Sequence, residues 1–125
     1  MVTLTVLEFN QEEDGLVNPA AVGSVHRFSG RANVEGGNPR VTIDIPTRAF
    51  RPPPSSSIRL RFSARDSGDA TEFPCAMTGM VLSSNPTTFT VSCSGLMTEI
   101  LNPPRELVEA FSAKSDVYVL LGFLD

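Results

Sequence analysis

The sequence predicts an all-β protein, an antiparallel barrel of about seven or eight strands with one short helix before the last strand. Several stretches alternate apolar and polar residues with a period of two, the pattern of half-buried strands. Turn signals rich in Gly, Pro, Asn and Ser separate these stretches at short intervals. The last stretch, residues 117–124, is apolar on both faces, as in a strand that is covered on both sides.

Length and composition are those of one globular domain, which we assign to residues 1–125. A chain of 125 residues is long enough for a single core, and 41% hydrophobic residues argue against disorder. No apolar run approaches the roughly 20 residues of a membrane span. The chain begins with a strand pattern and no basic leader, so we expect a protein that stays inside the cell and contacts no membrane.

The first third of the chain predicts two strands. Residues 2–9 alternate and form the first strand, which residues 11–15 close as an acidic turn. We interpret these carboxylates as a solvated turn, with a calcium site as the alternative. Residues 16–21 are a connector, and residues 22–31 form the second strand. The Gly-Gly-Asn-Pro run within 35–39 is a strong turn signal.

Two further strands follow in the arginine-rich middle of the chain. Strand three covers residues 41–45, where Asp44 faces outward between two inward isoleucines. The proline-rich run 51–57 is predicted to be a stiff loop, with a motif that binds another domain as the alternative. Strand four covers residues 58–62, with Arg59 and Arg61 facing outward.

A change of face marks the sixth predicted strand, residues 88–101, which pairs with the fifth strand at 73–83. Apolar residues alternate up to Cys93 and then continue at Leu96, so one residue is inserted. We interpret Ser94 and Gly95 as a β-bulge in one long strand, because glycine supplies the backbone freedom that a bulge needs.

A short helix and a final strand complete the prediction. Asn102 is positioned to cap a helix whose start is set by Pro103 and Pro104. The two-sided apolar strand 117–124 should be covered by the barrel on the inside, and by the helix or a partner chain on the outside.

Residues that carry out catalysis are scarce. His26 is the only histidine, and its place in a strand beside Arg27 indicates a structural role. Cys75 and Cys93 should lie on one face of a hairpin, as two buried thiols or, alternatively, as a disulfide or redox pair. With two cysteines and one histidine no four-ligand zinc site can form. We therefore expect no cofactor, no metal and no catalytic residues, and an enzyme is the least favoured class.

Positive charge is concentrated in the middle of the chain. The net charge is −4, yet eight of the ten basic residues fall within residues 27–65. These arginines either solvate the outer strand faces or form a partner surface, since guanidinium groups suit carboxylate and phosphate. The eight are Arg27, Arg31, Arg40, Arg48, Arg51, Arg59, Arg61 and Arg65.

Several short patterns occur in an order that resembles a known family. They are the acidic turn, then Val25-His26-Arg27, then Val-Thr-Ile-Asp-Ile at 41–45, Phe50, and Ser-Ile-Arg-Leu-Arg-Phe-Ser at 57–63. The chain thereby resembles the eighth common subunit, a small subunit shared by nuclear RNA polymerases I, II and III.

The second half of the chain agrees with the same family. Gly79 matches a glycine of its fifth strand, and Ser92 to Leu96 resemble its Ser-aromatic-Gly-Gly-Leu element. Here Cys93 replaces the aromatic residue and Ser94 replaces the first glycine. The long acidic loop of the family is compressed to residues 65–72.

The resemblance implies an OB-like barrel that is non-catalytic and nuclear. It would dock on the largest subunit of RNA polymerase, within the multisubunit complex, and touch nucleic acid weakly at most. We expect the partner surface to include Ser94, Gly95, Leu96, Arg59, Arg61 and Tyr118. The alternative is a free single-strand nucleic-acid-binding barrel that uses Arg27, Arg59 and Arg61, with Phe28 and Phe62 as stacking rings.

Overall fold

Nine strands and one short helix make up the part of the chain that the structure, a computed structural model, describes: residues 7–10, 13–16, 25–32, 39–46, 57–64, 73 and 75–124. The elements are β1 (Leu7–Asn10), β2 (Glu13–Leu16), β3 (Val25–Arg31), β4 (Arg40–Pro46), β5 (Ser57–Ser63), β6 (Cys75–Ser84), β7 (Thr88–Cys93), β8 (Leu96–Leu101), α1 (Arg105–Ala110) and β9 (Asp116–Leu124).

The strands form one antiparallel sheet that curls into a nearly closed barrel. Their order is β1-β5-β9-β6-β7-β8-β4-β3-β2. Phe9 of β1 bridges Ala32 at the end of β3, and Glu13 of β2 pairs with Ser29 of β3. β1 and β2 thus lie along the same edge of β3, so the barrel has eight strand positions. The predicted fold class, an antiparallel barrel with a short helix before the last strand, is confirmed.

The core is built from the alternating residues of the strands. In β5 every second residue is buried, and Ile58 and Leu60 are fully inaccessible to solvent. Phe62 meets Phe89 of β7 edge to face, with 5.2 Å between the ring centroids. Rings and branched aliphatic side chains fill the interior: Leu7, Phe9, Phe28, Val41, Ile43, Val81, Val91, Ile100, Val119 and Leu121.

Helix α1 closes one end of the barrel. Leu107 and Phe111 are 5% exposed and belong to the core, where Phe111 lies 6.3 Å from the Phe89 ring. The Ser84 hydroxyl, at the end of β6, donates to the carbonyl of Phe111 at 2.6 Å. These contacts place the helix over the barrel end. They do not make it a cover for the outside of β9.

The helix begins differently from the prediction. Its N-cap is Pro104, and no side chain caps it, so the expected cap from Asn102 is wrong. Asn102 instead has a left-handed backbone, with φ 56°, and its N–H donates to the carbonyl of Thr87 at 2.9 Å. Asparagine tolerates this conformation better than most residues. Asn102 therefore turns the chain from β8 toward the helix.

Near the start of the chain a strand replaces part of the predicted acidic turn and connector. β2 covers Glu13–Leu16, so that part of the predicted acidic turn is wrong, as is the start of the predicted connector at Leu16. The ladder with β3 explains the difference, because backbone pairing does not require an apolar side-chain pattern. Other predictions fall on segments that lie outside the described residues, namely 2–6, 17–24, 35–38, 51–56 and 65–72.

The predicted bulged strand 88–101 is two strands. β7 and β8 pair with each other from Thr88–Leu101 to Cys93–Leu96, so the chain reverses at Ser94 and Gly95. Cys93 and Leu96 are opposite each other and share one face, which explains the apparent insertion. The bulge interpretation is therefore wrong at this position.

A bulge does occur elsewhere, in β6. Val81 pairs with Val91 and Ser83 pairs with Thr90, which leaves Leu82 as the extra residue. Leu82 is 51% exposed. The inserted residue that the sequence pattern placed at Gly95 thus occurs in β6. It could not be recognised there because Met80, Val81 and Leu82 are all apolar, so the alternation of apolar and polar residues is lost.

Candidate docking surface

The β7–β8 turn is a two-residue hairpin loop with a fixed conformation. Ser94 and Gly95 both have positive φ, 55° and 93°, which is the type I′ signature. The Gly95 N–H donates to the Ser92 hydroxyl at 3.2 Å. Both turn residues are exposed, and a Cβ on Gly95 would have no atom within 4 Å. The turn therefore presents its backbone to solvent in a defined shape.

Gly79 allows β7 to approach β6 next to this turn. A Cβ at Gly79 would lie 2.7 Å from Cys93 Sγ and 2.8 Å from the Ser92 carbonyl oxygen. Any larger residue would push the strands apart. The glycine that the resemblance identified in this strand thus has a steric reason in this chain.

A groove of about 400 Å³ lies on the outer side of β6, between β9 and the β7–β8 turn. Thr78 is paired with Tyr118, and Met80 with both Asp116 and Ser92. Met80 is 45% exposed. The groove therefore joins two of the expected interface residues, Ser94 and Tyr118. Its full lining comprises Thr78, Gly79, Met80, Ser92, Ser94, Asp116, Val117 and Tyr118.

Arg61 and Arg59 lie on the same outer face, farther from the turn. Arg61 pairs with Leu120 of β9 and is therefore a diagonal neighbour of Tyr118. Its buried Nε has no hydrogen-bond partner among the described residues. Arg59 is one row beyond, with its guanidinium 5.6 Å from the Phe73 ring centroid and its Nε 4.0 Å from Glu8. The Arg59 side chain thus already has partners in its own chain, Phe73 and Glu8.

Leu96 is on the other side of the sheet. Its side chain is partly buried and packs against the core, as do Cys75 and Met77. The turn therefore has two functions: Ser94 and Gly95 face solvent, while Leu96 anchors the hairpin to the barrel.

Strand β9 is buried on both faces at Leu120, in agreement with its apolar sequence. Leu120 faces outward, opposite to Val119 and Leu121, and yet is 2% exposed. Its cross-strand neighbours are Arg61 and Ala76. Phe123, which is 37% exposed, lies opposite the buried Ile58 and so has the parity of the inner face. The outside of β9 is therefore covered at Leu120.

Asp44 holds the start of β8, a role that sequence reasoning missed. Its carboxylate is 3% exposed, accepts from Arg27 Nε at 2.8 Å and Nη2 at 3.3 Å, and accepts from the Met97 N–H at 3.1 Å. The bond and charge of Asp44 raise the pKa of the Arg27 guanidinium. Asp44 does face outward as predicted, but it is buried. The signal that could have found it is the register, which places Arg27 opposite Asp44.

The two cysteines are free thiols on the inner side of β6 and β7. Cys93 is buried, and Cys75 is half-buried. Burial raises the pKa of Cys93 to about 11, with a smaller contribution from the charge of Cys75. Burial also raises the pKa of Cys75. These shifts disfavour the reactive thiolate at neutral pH, in agreement with thiols that pack as small apolar groups.

Three of the residues named for a nucleic-acid surface, Arg27, Phe28 and Phe62, make contacts within the barrel. Phe28 and Phe62 are 1% and 2% exposed, inside the core, so neither ring can stack on a base. Arg27 is paired with Asp44. His26 stacks on Phe28 at 6.4 Å, in line with its predicted structural role. Arg48, Arg51 and Arg65 lie outside the described residues.

Among the described residues no group of three or more His, Cys, Asp or Glu side chains is placed to hold a metal ion. The helix in this part of the chain is too short and too polar for a membrane span.

The chain matches no protein-family model and none of the curated proteins.

Proposed function

We propose that this chain is a non-catalytic subunit of a nuclear DNA-dependent RNA polymerase that docks on the largest subunit. The observation that carries the proposal is the place in the barrel of the Ser92–Leu96 element, whose sequence resembles an element of the eighth common subunit. In the barrel its Ser94 and Gly95 form an exposed turn of defined conformation beside an open groove. A preformed surface of this kind suits one fixed partner, because little ordering is needed on binding.

The charges of the surface also favour a protein partner. Asp116 is the one charged side chain among the described residues that line the groove. A carboxylate repels phosphate, whereas it pairs readily with lysine or arginine of another protein. The arginines on the same face lie at its far side, where Arg59 already contacts Phe73 and Glu8.

Affinity purification from nuclear extract tests the proposal. The tagged chain should recover the largest polymerase subunit and the rest of the complex in stoichiometric amounts by mass spectrometry. Recovery of free chain alone, at a salt concentration that leaves polymerase intact, would contradict the proposal.

Binding of oligonucleotides tests the alternative directly. The isolated chain should bind single strands weakly and only at low salt, because phosphate contacts are screened at physiological ionic strength. Sub-micromolar binding at physiological salt that is lost when Arg59→Ala and Arg61→Ala are combined would favour the free nucleic-acid-binding barrel. The matched control is Arg105→Ala, which removes an exposed arginine of the helix.

A further inference from the structure

The first half of β6 has an unpaired edge within the part of the chain that the structure describes. On one side β6 pairs with β9 from Cys75 to Met80. On the other side it pairs with β7 only from Met80 onward, because β7 ends at Cys93 and turns away. In an antiparallel strand alternate residues direct their backbone groups to opposite sides, so every second residue of 75–78 points its N–H and C=O past the hairpin without a described strand to receive them. Such an edge is a template for another strand.

The groove lies beside this edge. Thr78, Gly79 and Met80 form one side, and Ser94 of the β7–β8 turn forms the other. Its volume of about 400 Å³ is within the range of binding pockets. Three residues of extended chain span about 10 Å, so a short strand is the backbone shape that fits both the groove and the edge.

The side chains of the groove indicate the chemistry of the strand. Met80 is 45% exposed and Tyr118 is half-buried, so they offer apolar surface to a facing side chain. Asp116 pairs across the sheet with Met80 and forms no ion pair with a described residue. A lysine or arginine in the added segment would form an ion pair with the Asp116 carboxylate.

We propose that an extended segment of the partner protein adds to β6 as a further strand beside residues 75–78. Backbone hydrogen bonds would supply affinity, and Met80, Tyr118 and Asp116 would select apolar and basic side chains. The inference rests on the proposed function, in which the partner is the largest subunit of RNA polymerase.

Hydrogen exchange measured on the isolated chain and on the assembled polymerase tests the inference. Amides within residues 75–79 should exchange at least ten times more slowly in the complex, since an added strand protects those that β9 leaves open. The amides of Asn85 and Thr87, in a turn on the helix side of the barrel, serve as the internal control, and their exchange should not change.

Two charge-reversal variants test whether Asp116 selects a basic side chain of the added strand. Asp116→Lys should lower the fraction of chain recovered with polymerase at least fivefold, while its melting temperature stays near that of the wild type. The control, Glu109→Lys, reverses an exposed charge on the helix and should be recovered like the wild type.

The outcomes separate the two proposals. A wild-type chain absent from polymerase overturns the proposed function, and the strand addition with it. A chain that assembles normally, with unchanged exchange at residues 75–79 and full recovery of Asp116→Lys, overturns the strand addition alone. Protection of the same amides in the isolated chain at high concentration would show that a second copy occupies the edge, which also overturns it.

Discussion

The β7–β8 turn and the β6 bulge differ in how the chain specifies them, although both change which residues face the core. At the turn, two residues have positive φ, and the Ser92 hydroxyl, Asp44 and Gly79 fix the surroundings. At the bulge, Leu82 is an exposed apolar residue with a negative φ. A demanding backbone geometry needs particular residues, whereas an extra residue in a strand needs only space on the outside.

This difference explains where function is expected. A turn held by specific contacts keeps its shape and can serve as a docking surface without a large ordering cost. The bulge instead adjusts the end of β6, so that Ser84 reaches the Phe111 carbonyl and Val81 stays in the core.

Single-residue deletions are expected to give the largest contrast between the two regions. Without Ser94 the loop is too short to keep Cys93 opposite Leu96, and slipping the register would turn core residues outward. We expect a loss of more than about 3 kcal/mol in the free energy of unfolding. Without Leu82, Val81 and Ser83 are adjacent in β6 and can keep their partners Val91 and Thr90 in a regular ladder. The loss in the free energy of unfolding should therefore be below about 1 kcal/mol. Equal losses in urea denaturation would contradict the comparison.

Removal of the carboxylate that holds the start of β8 should have the next largest effect. Asp44→Ala leaves the Met97 N–H and Arg27 without their acceptor, which should cost about 3 kcal/mol. Arg27→Ala should also be strongly destabilising, because it leaves the buried Asp44 carboxylate with only the Met97 N–H as partner. The matched control is Glu99→Ala, an exposed carboxylate near the same arginine, with an effect within about 0.5 kcal/mol. Thermal unfolding of the three variants gives the ranking, and a Glu99→Ala loss as large as that of Asp44→Ala would refute it.

Gly95→Val tests the backbone of the turn. The cause of the expected loss, about 1–3 kcal/mol, is the positive φ of 93°, since a Cβ at this position meets no neighbour. Gly95→Asn is the control, because asparagine adopts positive φ more readily and should lose much less. If both variants melt like the wild type, the turn conformation is wrong.

The Cys93 thiol gives the turn region a pH dependence. Its pKa of about 11 in the folded chain lies above the ordinary value of 9.0, so the folded state holds the proton more tightly. The contribution of the protonated Cys93 thiol to the free energy of unfolding is complete below pH 9 and is lost as the pH rises toward 11. At pH 10 the loss should be about 1 kcal/mol. Comparison with Cys93→Val, in urea at pH 8 and pH 10, isolates this contribution, and identical pH dependence in the two proteins would exclude it.

Much of the barrel could be predicted because its strands have strong period-two patterns. Strands β4, β5 and β7 each alternate, and their predicted inward residues are buried. β2 was missed because Glu13, Asp14 and Gly15 carry no such pattern, and only the ladder to β3 reveals it. The bulge was missed because Met80 and Leu82 are apolar although exposed.

The candidate site was predictable only in part, for related reasons. Ser-Gly is a weaker hairpin signal than Asn-Gly, so the turn was taken for a bulge in one strand. Under both interpretations Gly95 supplies backbone freedom, and its φ of 93° agrees with that expectation. Asp44, Met80 and Asp116 needed the register of neighbouring strands, which local pattern alone does not provide.

Size-exclusion chromatography of native nuclear extract tests the central claim, membership in a polymerase, most directly. Almost all of the chain should elute with a very large assembly that also contains the largest polymerase subunit, and nuclease treatment should not move it. A chain that elutes mainly as a monomer, or that leaves the large fractions after nuclease treatment, would contradict the claim.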